Sequence, residues 1–262
     1  MAYIVFLILG AAVGVFGTIV GIGGGLVLVP VFILFMSDGG IYPYFHSAPQ
    51  IVGTSLFVVL MNAVSGVTAY IRQKRVFFDV AVPFALATVP GAFLGSYIAS
   101  TFNAKSLDFW FGCFLFCMGC IMTWNTCKKA PENTLVIDKD FHYNKPLGIV
   151  CSLMVGFPSS IFGIGGGIVH VPVMIYLLGF PVHIATATSQ FVLACSSFVG
   201  VVSHVMLSHV VWLPAICIGI GATIGAQIGA RLSRKTKSRT ILTILAAAIF
   251  FVSIKLIYTG VN

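Results

Sequence analysis

The sequence GIGGGLVLVP at 21–30 decides the fold, because the chain repeats it as GIGGGIVHVP at 163–172. Eight of the ten positions are identical between the two copies. Glycine costs about 1 kcal/mol relative to alanine inside a helix, and three in a row remove the side chains that would pack it. We therefore predict that a helix breaks at Gly21–Gly25 and again at Gly163–Gly167.

Broken helices in an apolar sequence point to a binding site. At membrane depth, irregular backbone is tolerated only where protein or a water-filled cavity surrounds it. Paired breaks in corresponding positions of two halves are the best sequence indication of a transporter's binding site. The alternative is close helix packing, although packing motifs usually space their glycines four residues apart.

The composition places the chain in a lipid bilayer. Its 262 residues are 59% hydrophobic and only 8% charged, with a mean hydropathy of +1.08, whereas soluble domains carry about 25% charged residues. The net charge of +8 is concentrated in short loops, as the positive-inside rule requires, so we predict no nucleic-acid partner. The first helix lacks the basic start and cleavage site of a signal peptide and is predicted to be retained.

Apolar segments and loops divide the chain into two repeats of five segments. We predict a first transmembrane repeat at 1–126, a cytoplasmic linker at 127–145 and a second transmembrane repeat at 146–262. An offset of 134 residues places Thr54-Ser55 on Thr188-Ser189, whereas the glycine runs are offset by 142. The whole chain is therefore an internal duplication. The predicted segments lie at about 3–20, 25–36, 48–70, 79–100, 107–126, 146–162, 167–179, 184–204, 211–230 and 240–258.

The distribution of basic residues predicts the topology. If each glycine-broken unit enters the membrane and returns, twelve Lys/Arg collect on one side and only Lys105 and Lys255 on the other. Such a bias marks the cytoplasmic side and inverts the halves relative to each other. The predicted fold class is an all-α polytopic membrane protein with two inverted repeats and glycine-broken helices at the midplane, both termini being extracytoplasmic.

The candidate substrate-binding groups are those that suit an anion. Half-helices beginning at the glycine runs would direct free N–H groups and a partial positive charge at a ligand, whereas a cation would require carboxylates. Hydroxyl and amide side chains in the apolar runs can also donate, although interhelical hydrogen bonding is the alternative. His170 replaces Leu28 of the first copy and either carries a proton or is a buried neutral histidine. The full set is Gly23, Gly24, Gly25, Gly165, Gly166, Gly167, Gln50, Thr54, Ser55, Thr188, Ser189, Gln190 and His170.

At these residues the chain resembles the sulfite exporter TauE/SafE family of membrane transporters. The resemblance covers nearly the whole length and includes the doubled G-x-G-G-G-x-x-x-x-P, the Thr-Ser pair and a G-A-x-x-G in each half. It implies a multi-pass plasma-membrane permease for sulfite or another sulfur-containing anion. His170 and the longer SDGGIYPY stretch at 37–44 depart from the common pattern, so the substrate is less well defined than the class.

The predicted function is export of a small sulfur oxyanion, and two alternatives remain open. Uptake of an organosulfonate or thiosulfate would require coupling, with His170 as the proton carrier, and an anion channel would share the same chemistry. Cys113, Cys117 and Cys120 share a helix face without neighbouring metal ligands, and enzyme motifs are missing from the sequence, so we predict no metal, no cofactor and no catalytic activity. Gly221, Gly225 and Gly229 form a stripe of small residues that packs within the protomer or in a homodimer.

Overall fold

The structure is a computed structural model that describes residues 2–36, 44–99, 104–128 and 143–261. This part of the chain is helical and contains no β-strand. Two of its short helices continue into π-helical turns at Phe32–Met36 and Val173–Leu177. The helices are α1 (Ala2–Val20), α2 (Gly25–Val31), α3 (Ala48–Arg72), α4 (Phe78–Ala99), α5 (Ala104–Lys128), α6 (Lys145–Ile161), α7 (Gly167–Pro172), α8 (Val182–Met206), α9 (Trp212–Ser233) and α10 (Ser238–Val261).

Both predicted helix breaks are confirmed. Helix α1 ends at Val20 and α2 begins at Gly25, while α6 ends at Ile161 and α7 begins at Gly167. The glycines just before the new helices, Gly24 and Gly166, have φ of 88° and 87°. Only glycine adopts this left-handed region without a steric cost, so the glycine runs let the chain turn between two helical pieces.

The chain is an all-α polytopic membrane protein, as predicted. Six helices in the described residues are long and apolar enough to cross a bilayer, namely Tyr3–Val20, Ala48–Arg72, Phe78–Ile98, Val182–Met206, Trp212–Ser233 and Ser238–Tyr258. Shorter apolar helices surround the breaks and include Lys145–Ile161 and Gly167–Leu177. Most of the predicted linker, 129–142, and of the SDGGIYPY stretch, 37–43, lies outside the described residues.

Helix packing follows the sequence repeat. Helix α1 packs on α9, and their counterparts α6 and α4 pack on each other. The central helices α3 and α8 pack on each other. In addition, α3 packs on α9, α8 packs on α4, and α5 packs on α10. Every one of these contacts has its partner under the duplication, so each half donates helices to the packing of the other. The inversion of the halves across the membrane remains a prediction.

The glycine stripe on α9 packs inside the protomer. A methyl group added at Gly225 would overlap the carbonyl oxygen of Ala11, and one at Gly229 would lie 2.6 Å from that of Val15. Gly14 of α1 belongs to the same contact, because a methyl group there would lie 2.8 Å from the Cα of Ala222. Backbone-to-backbone contact of this kind requires small residues on both helices. The stripe therefore packs against α1 within the protomer, which is one of the two alternatives that the sequence left open.

Candidate functional site

The two helix breaks touch each other at the centre of the molecule. We call them glycine loop 1 (Gly21–Gly25) and glycine loop 2 (Gly163–Gly167). A methyl group added at Gly25 would lie 2.7 Å from the Cα of Ile164, and one at Gly167 would lie 2.6 Å from the Cα of Ile22. The loops are therefore in direct backbone contact, and a side chain at either position would separate them.

A reciprocal pair of serine hydrogen bonds ties each loop to the opposite half. Ser55 Oγ donates to the carbonyl of Gly163 at 2.8 Å, and Ser189 Oγ donates to the carbonyl of Gly21 at 3.1 Å. Both serines were predicted as substrate-binding groups, and the structure brings both to the loops. Each hydroxyl proton is used by a carbonyl, so towards a ligand these side chains retain only their acceptor capacity.

Two apolar side chains cover the facing surface of the loops. Val59 of α3 and Leu193 of α8 occupy equivalent positions under the 134-residue offset. A methyl group at Gly23 would lie 2.9 Å from Val59 Cγ1, one at Gly165 would lie 2.8 Å from it, and both would overlap Leu193. We call Val59 and Leu193 the apolar plug, because both side chains contact both loops.

The start of each half-helix leaves backbone donors free. The first N–H groups of a helix have no partner within it, and no hydrogen bond among the described residues uses the N–H of Gly24, Gly25 or Leu26. The equivalent N–H groups of the second half, those of residues 166–168, also donate no hydrogen bond among the described residues. All six residues are buried, so these donors are positioned to bind an anion.

Three buried serine hydroxyls of the second half have no hydrogen-bond partner among the described residues. They belong to Ser159, Ser160 and Ser197, each at most 1% exposed. Ser197 Oγ lies 2.8 Å from the position of a methyl group at Gly165, and Ser159 Oγ lies 3.1 Å from that at Gly166. Buried polar groups are normally satisfied. Ser160 Oγ lies elsewhere, 3.2 Å from the position of a methyl group at Gly200 on α8. The two unsatisfied hydroxyls at glycine loop 2, those of Ser159 and Ser197, are therefore available to a polar ligand.

Glycine loop 1 lacks this polar lining. Gly17 and Ala63 stand where the second half has Ser159 and Ser197. Thr18, the counterpart of Ser160, donates its hydroxyl proton to Asn62 Oδ1 at 3.0 Å. The two halves share their backbone arrangement, but among the described residues the buried serine hydroxyls without a partner all belong to the second half.

Gln190 contributes one further unsatisfied acceptor. Its Nε2 donates to the carbonyl of Gly17 at 3.2 Å, whereas its buried Oε1 has no partner among the described residues. The first half carries the apolar Leu56 at the equivalent position. Gln190 was predicted as a site residue, and it lies beside α1 at the start of glycine loop 1.

Three further predicted site residues, Thr54, Thr188 and Gln50, form hydrogen bonds away from the glycine loops. Thr54 Oγ1 accepts from the N–H of Val211 at 3.0 Å, and Thr188 Oγ1 accepts from that of Phe77 at 3.1 Å. These threonines hold the chain where α9 and α4 begin. Gln50 Oε1 accepts from the N–H of His46 at 2.9 Å, at the start of α3.

His170 lies on α7, one turn after glycine loop 2, and is 2% exposed. Its Nδ1 is 3.3 Å from the carbonyl oxygen of Gly166, and its Nε2 is 3.2 Å from Ser152 Oγ. Both neighbours belong to the second half, so the histidine supports the local turn between α6 and α7 and does not bridge the two halves.

Sequence reasoning missed the unsatisfied serines and the apolar plug. A signal existed for Ser159 and Ser160, because they stand in an apolar helix directly before GIGGG at 163–167, and hydroxyls at that depth require a partner. Ser197 and Leu193 carry no such signal. Only the crossing of α8 over glycine loop 2 reveals them.

The fold and the site define a polytopic helical membrane transporter whose broken helices meet at its centre. The chain belongs to the TauE/SafE sulfite exporter family, whose profile matches residues 6–256. The match spans nearly the whole chain, as the resemblance in the sequence implied.

Curated relatives carry general names. The chain is 33% identical to the probable membrane transporter protein YunE of Bacillus subtilis, over all of this chain and 99% of YunE. A probable membrane transporter protein of Methanocaldococcus jannaschii is 29% identical over 76% of this chain and 70% of its own length. One from Xylella fastidiosa is 31% identical over 73% and 67%. No solved structure matches the chain significantly.

Proposed function

We propose that this protein is a plasma-membrane permease that exports a small sulfur oxyanion, with sulfite as its principal substrate. Family membership supports the class of transporter and the chemistry of the cargo. The unsatisfied hydroxyls of Ser159 and Ser197 at glycine loop 2 carry the proposal, because they are donors of the kind a compact oxyanion requires.

The proposed site combines neutral donors from two sources. The N–H groups of Gly166 and Gly167 supply the positive end of a half-helix, and the hydroxyls of Ser159 and Ser197 approach the same loop. Hydrogen bonds to a charged partner contribute about 1.5–3 kcal/mol each. Holding the anion without a fixed cation leaves a modest affinity, which suits a carrier that must release its substrate.

Transport requires that the apolar plug moves. Val59 and Leu193 contact both glycine loops in this structure, and we expect them to separate a substrate at glycine loop 2 from one side of the membrane. In transporters built from repeats, alternating access arises from rocking of one repeat against the other around a central site. We expect the crossing of α3 and α8 to be the contact that rearranges.

The membrane potential favours export. Moving one negative charge out of a negative-inside cell releases about 2.3 kcal/mol per 100 mV. An exporter of this kind needs no coupling ion.

One observation favours the second candidate, proton-coupled uptake of a sulfonate. A protonated His170 could donate to both of its neighbours, the Gly166 carbonyl and Ser152 Oγ, because Ser152 uses its own proton on the carbonyl of Gly148 at 2.8 Å. Replacing His170 with glutamine separates the two functions. Export should persist in the variant, whereas proton-driven uptake should be lost.

A binding screen of the purified full chain tests the substrate class. A ligand that binds only the folded state raises the melting temperature in proportion to RT ln(1 + [L]/Kd). We expect sulfite to stabilise the protein more than sulfate, thiosulfate or taurine at equal concentration and ionic strength. Equal shifts for all four anions and for chloride would contradict a specific sulfur oxyanion site.

A further inference from the structure

A polar cavity lies at one end of the molecule, away from the glycine loops. It has a volume of about 590 Å³ and is formed where α3 and α9 end. All of its charged lining residues are basic: Arg72, Arg231, Arg234 and Lys235. Gln73 and Gln227 complete the polar lining. This is the end of the protein that the charge distribution predicts to be cytoplasmic.

The walls of this basic cavity are fixed by hydrogen bonds between the two helices. Gln73 Nε2 donates to the carbonyl of Ala230 at 3.1 Å, and Gln227 Nε2 donates to the carbonyl of Ser65 at 2.7 Å. Both bonds join α3 to α9. These bonds fix the pair of helices between which the cavity lies, and four exposed basic side chains complete its lining.

A buried cation adds to the positive potential behind the cavity. Arg75 is 3% exposed and donates to Gln73 Oε1 at 3.1 Å. Burial lowers its pKa, the neighbouring Tyr70 opposes that shift, and the nearby positive charge of Arg234 adds to the lowering. The positive-inside rule explains the sign of these charges. That rule does not explain why four basic side chains line one cavity next to the buried Arg75.

The surface beneath the cavity is apolar and exposed. Val64 lies two turns before Arg72 on α3, and Ile220 and Ile224 precede Gln227 by seven and three residues on α9. Their exposed fractions are 48%, 47% and 55%. A ligand with a phosphate in the cavity and an acyl chain along these residues would match both surfaces. A free phosphate would contact only the basic cavity.

We propose that the basic cavity binds the headgroup of an anionic phospholipid, with an acyl chain lying along Val64, Ile220 and Ile224. Basic pockets between membrane helices on the cytoplasmic side bind anionic headgroups in this way. The site joins α3, a central helix that carries part of the apolar plug, to α9. The bound lipid therefore stabilises the packing of the two halves from the membrane surface.

Native mass spectrometry of the full chain in neutral detergent tests the proposal, with palmitoyl-oleoyl phosphatidylglycerol and the matching phosphatidylcholine as probes. Wild-type protein should bind the anionic lipid at least tenfold more tightly. The double variant Arg231→Gln/Arg234→Gln should lose about fivefold per cation, roughly 25-fold in all. The control Lys237→Gln/Arg239→Gln removes two exposed charges from the same end of the protein, in the loop after α9 and the first turn of α10, outside the cavity. It should stay within about twofold of wild type.

The outcomes are separable. Equal losses in the double variant and the control would show general charge attraction and overturn the site. Glycerol phosphate binding as tightly as the lipid would overturn the lipid assignment in favour of a free phosphate. If the double variant does not fold, Arg72→Gln on the opposite wall provides the same test, with an expected loss of about fivefold. An affinity for Arg72→Gln equal to that of wild type would contradict the proposal.

Discussion

The unsatisfied serine hydroxyls give the sharpest predictions at the scale of single residues. Replacing Ser197 with alanine removes a buried donor that has no partner among the described residues. Removing such a group leaves stability unchanged or raises it, whereas losing a hydrogen bond to an anion costs about 1.5–3 kcal/mol. We expect Ser197→Ala to keep the melting temperature of the unliganded protein and to weaken sulfite binding ten- to hundredfold.

A matched serine provides the control. Ser253 is also buried, but its hydroxyl donates within α10 to the carbonyl of Phe250 at 2.9 Å. Ser253→Ala should leave sulfite affinity unchanged. If Ser197→Ala binds sulfite as wild type does, or if both variants weaken binding equally, the serines at glycine loop 2 are not the site.

His209 predicts a pH dependence of stability. Burial lowers the pKa of His209, and its Nδ1 lies 3.1 Å from that of His204. An unfolded histidine binds a proton near pH 6.5, whereas the folded state binds it only at lower pH. The unfolded state therefore gains stability relative to the folded state as the pH falls below about 6.5, and folding is favoured above it.

The melting temperature should accordingly fall between pH 8 and pH 5.5. Replacing His209 with glutamine removes one titrating group, so the fall should be smaller in this variant, as scanning calorimetry or fluorescence melting would show. An identical pH profile in the variant would mean that this histidine contributes nothing to the acid sensitivity.

At the scale of helices, the glycine contact between α1 and α9 is the feature most sensitive to substitution. A side chain at Gly225 would overlap the backbone of Ala11, whereas a methyl group at Gly219 on the same helix would lie 3.4 Å from Met61, at ordinary contact distance. Gly225→Leu should prevent correct packing and reduce the yield of folded protein several-fold.

Gly219→Ala serves as the control for this prediction, and size-exclusion chromatography after detergent extraction measures both. Alanine at 219 improves helix propensity and should leave the yield and elution volume as in wild type. Normal yield and elution for Gly225→Leu would contradict the α1–α9 contact.

Element boundaries were predictable because hydropathy and glycine act locally. The break before Gly25 and the break before Gly167 follow from the cost of glycine in a helix and its freedom at positive φ. The site was predictable only in part. Ser55 and Ser189 do reach the loops, but Thr54 and Thr188, one residue earlier, point to the starts of α9 and α4.

That difference could not be seen in the sequence, because adjacent residues of a helix lie about 100° apart and the orientation of the whole helix decides which one reaches the site. The asymmetry of the halves was hidden for the same reason. Ser159 and Ser197 come together only because α6 and α8 approach the same loop, and their counterparts Gly17 and Ala63 give no hint of a polar site.

At the scale of the whole molecule, charge predicts how the chain lies in the membrane. Lys237, in the loop after α9, falls on the side with twelve basic residues, and Ser208, in the loop after α8, falls on the other. Both residues are exposed. In intact cells, a membrane-impermeant thiol reagent should label Ser208→Cys and not Lys237→Cys beyond the background of the parent protein. The reverse pattern would overturn the predicted orientation.

The measurement closest to the central claim is sulfite efflux from liposomes containing the purified full chain, with a negative internal potential. Wild-type protein should give saturable efflux. The double variant Ser159→Ala/Ser197→Ala should raise the half-saturating sulfite concentration at least tenfold, with Ser253→Ala transporting as wild type. Efflux by the double variant that is indistinguishable from wild type, or no sulfite efflux by wild-type protein, would contradict an oxyanion site at glycine loop 2.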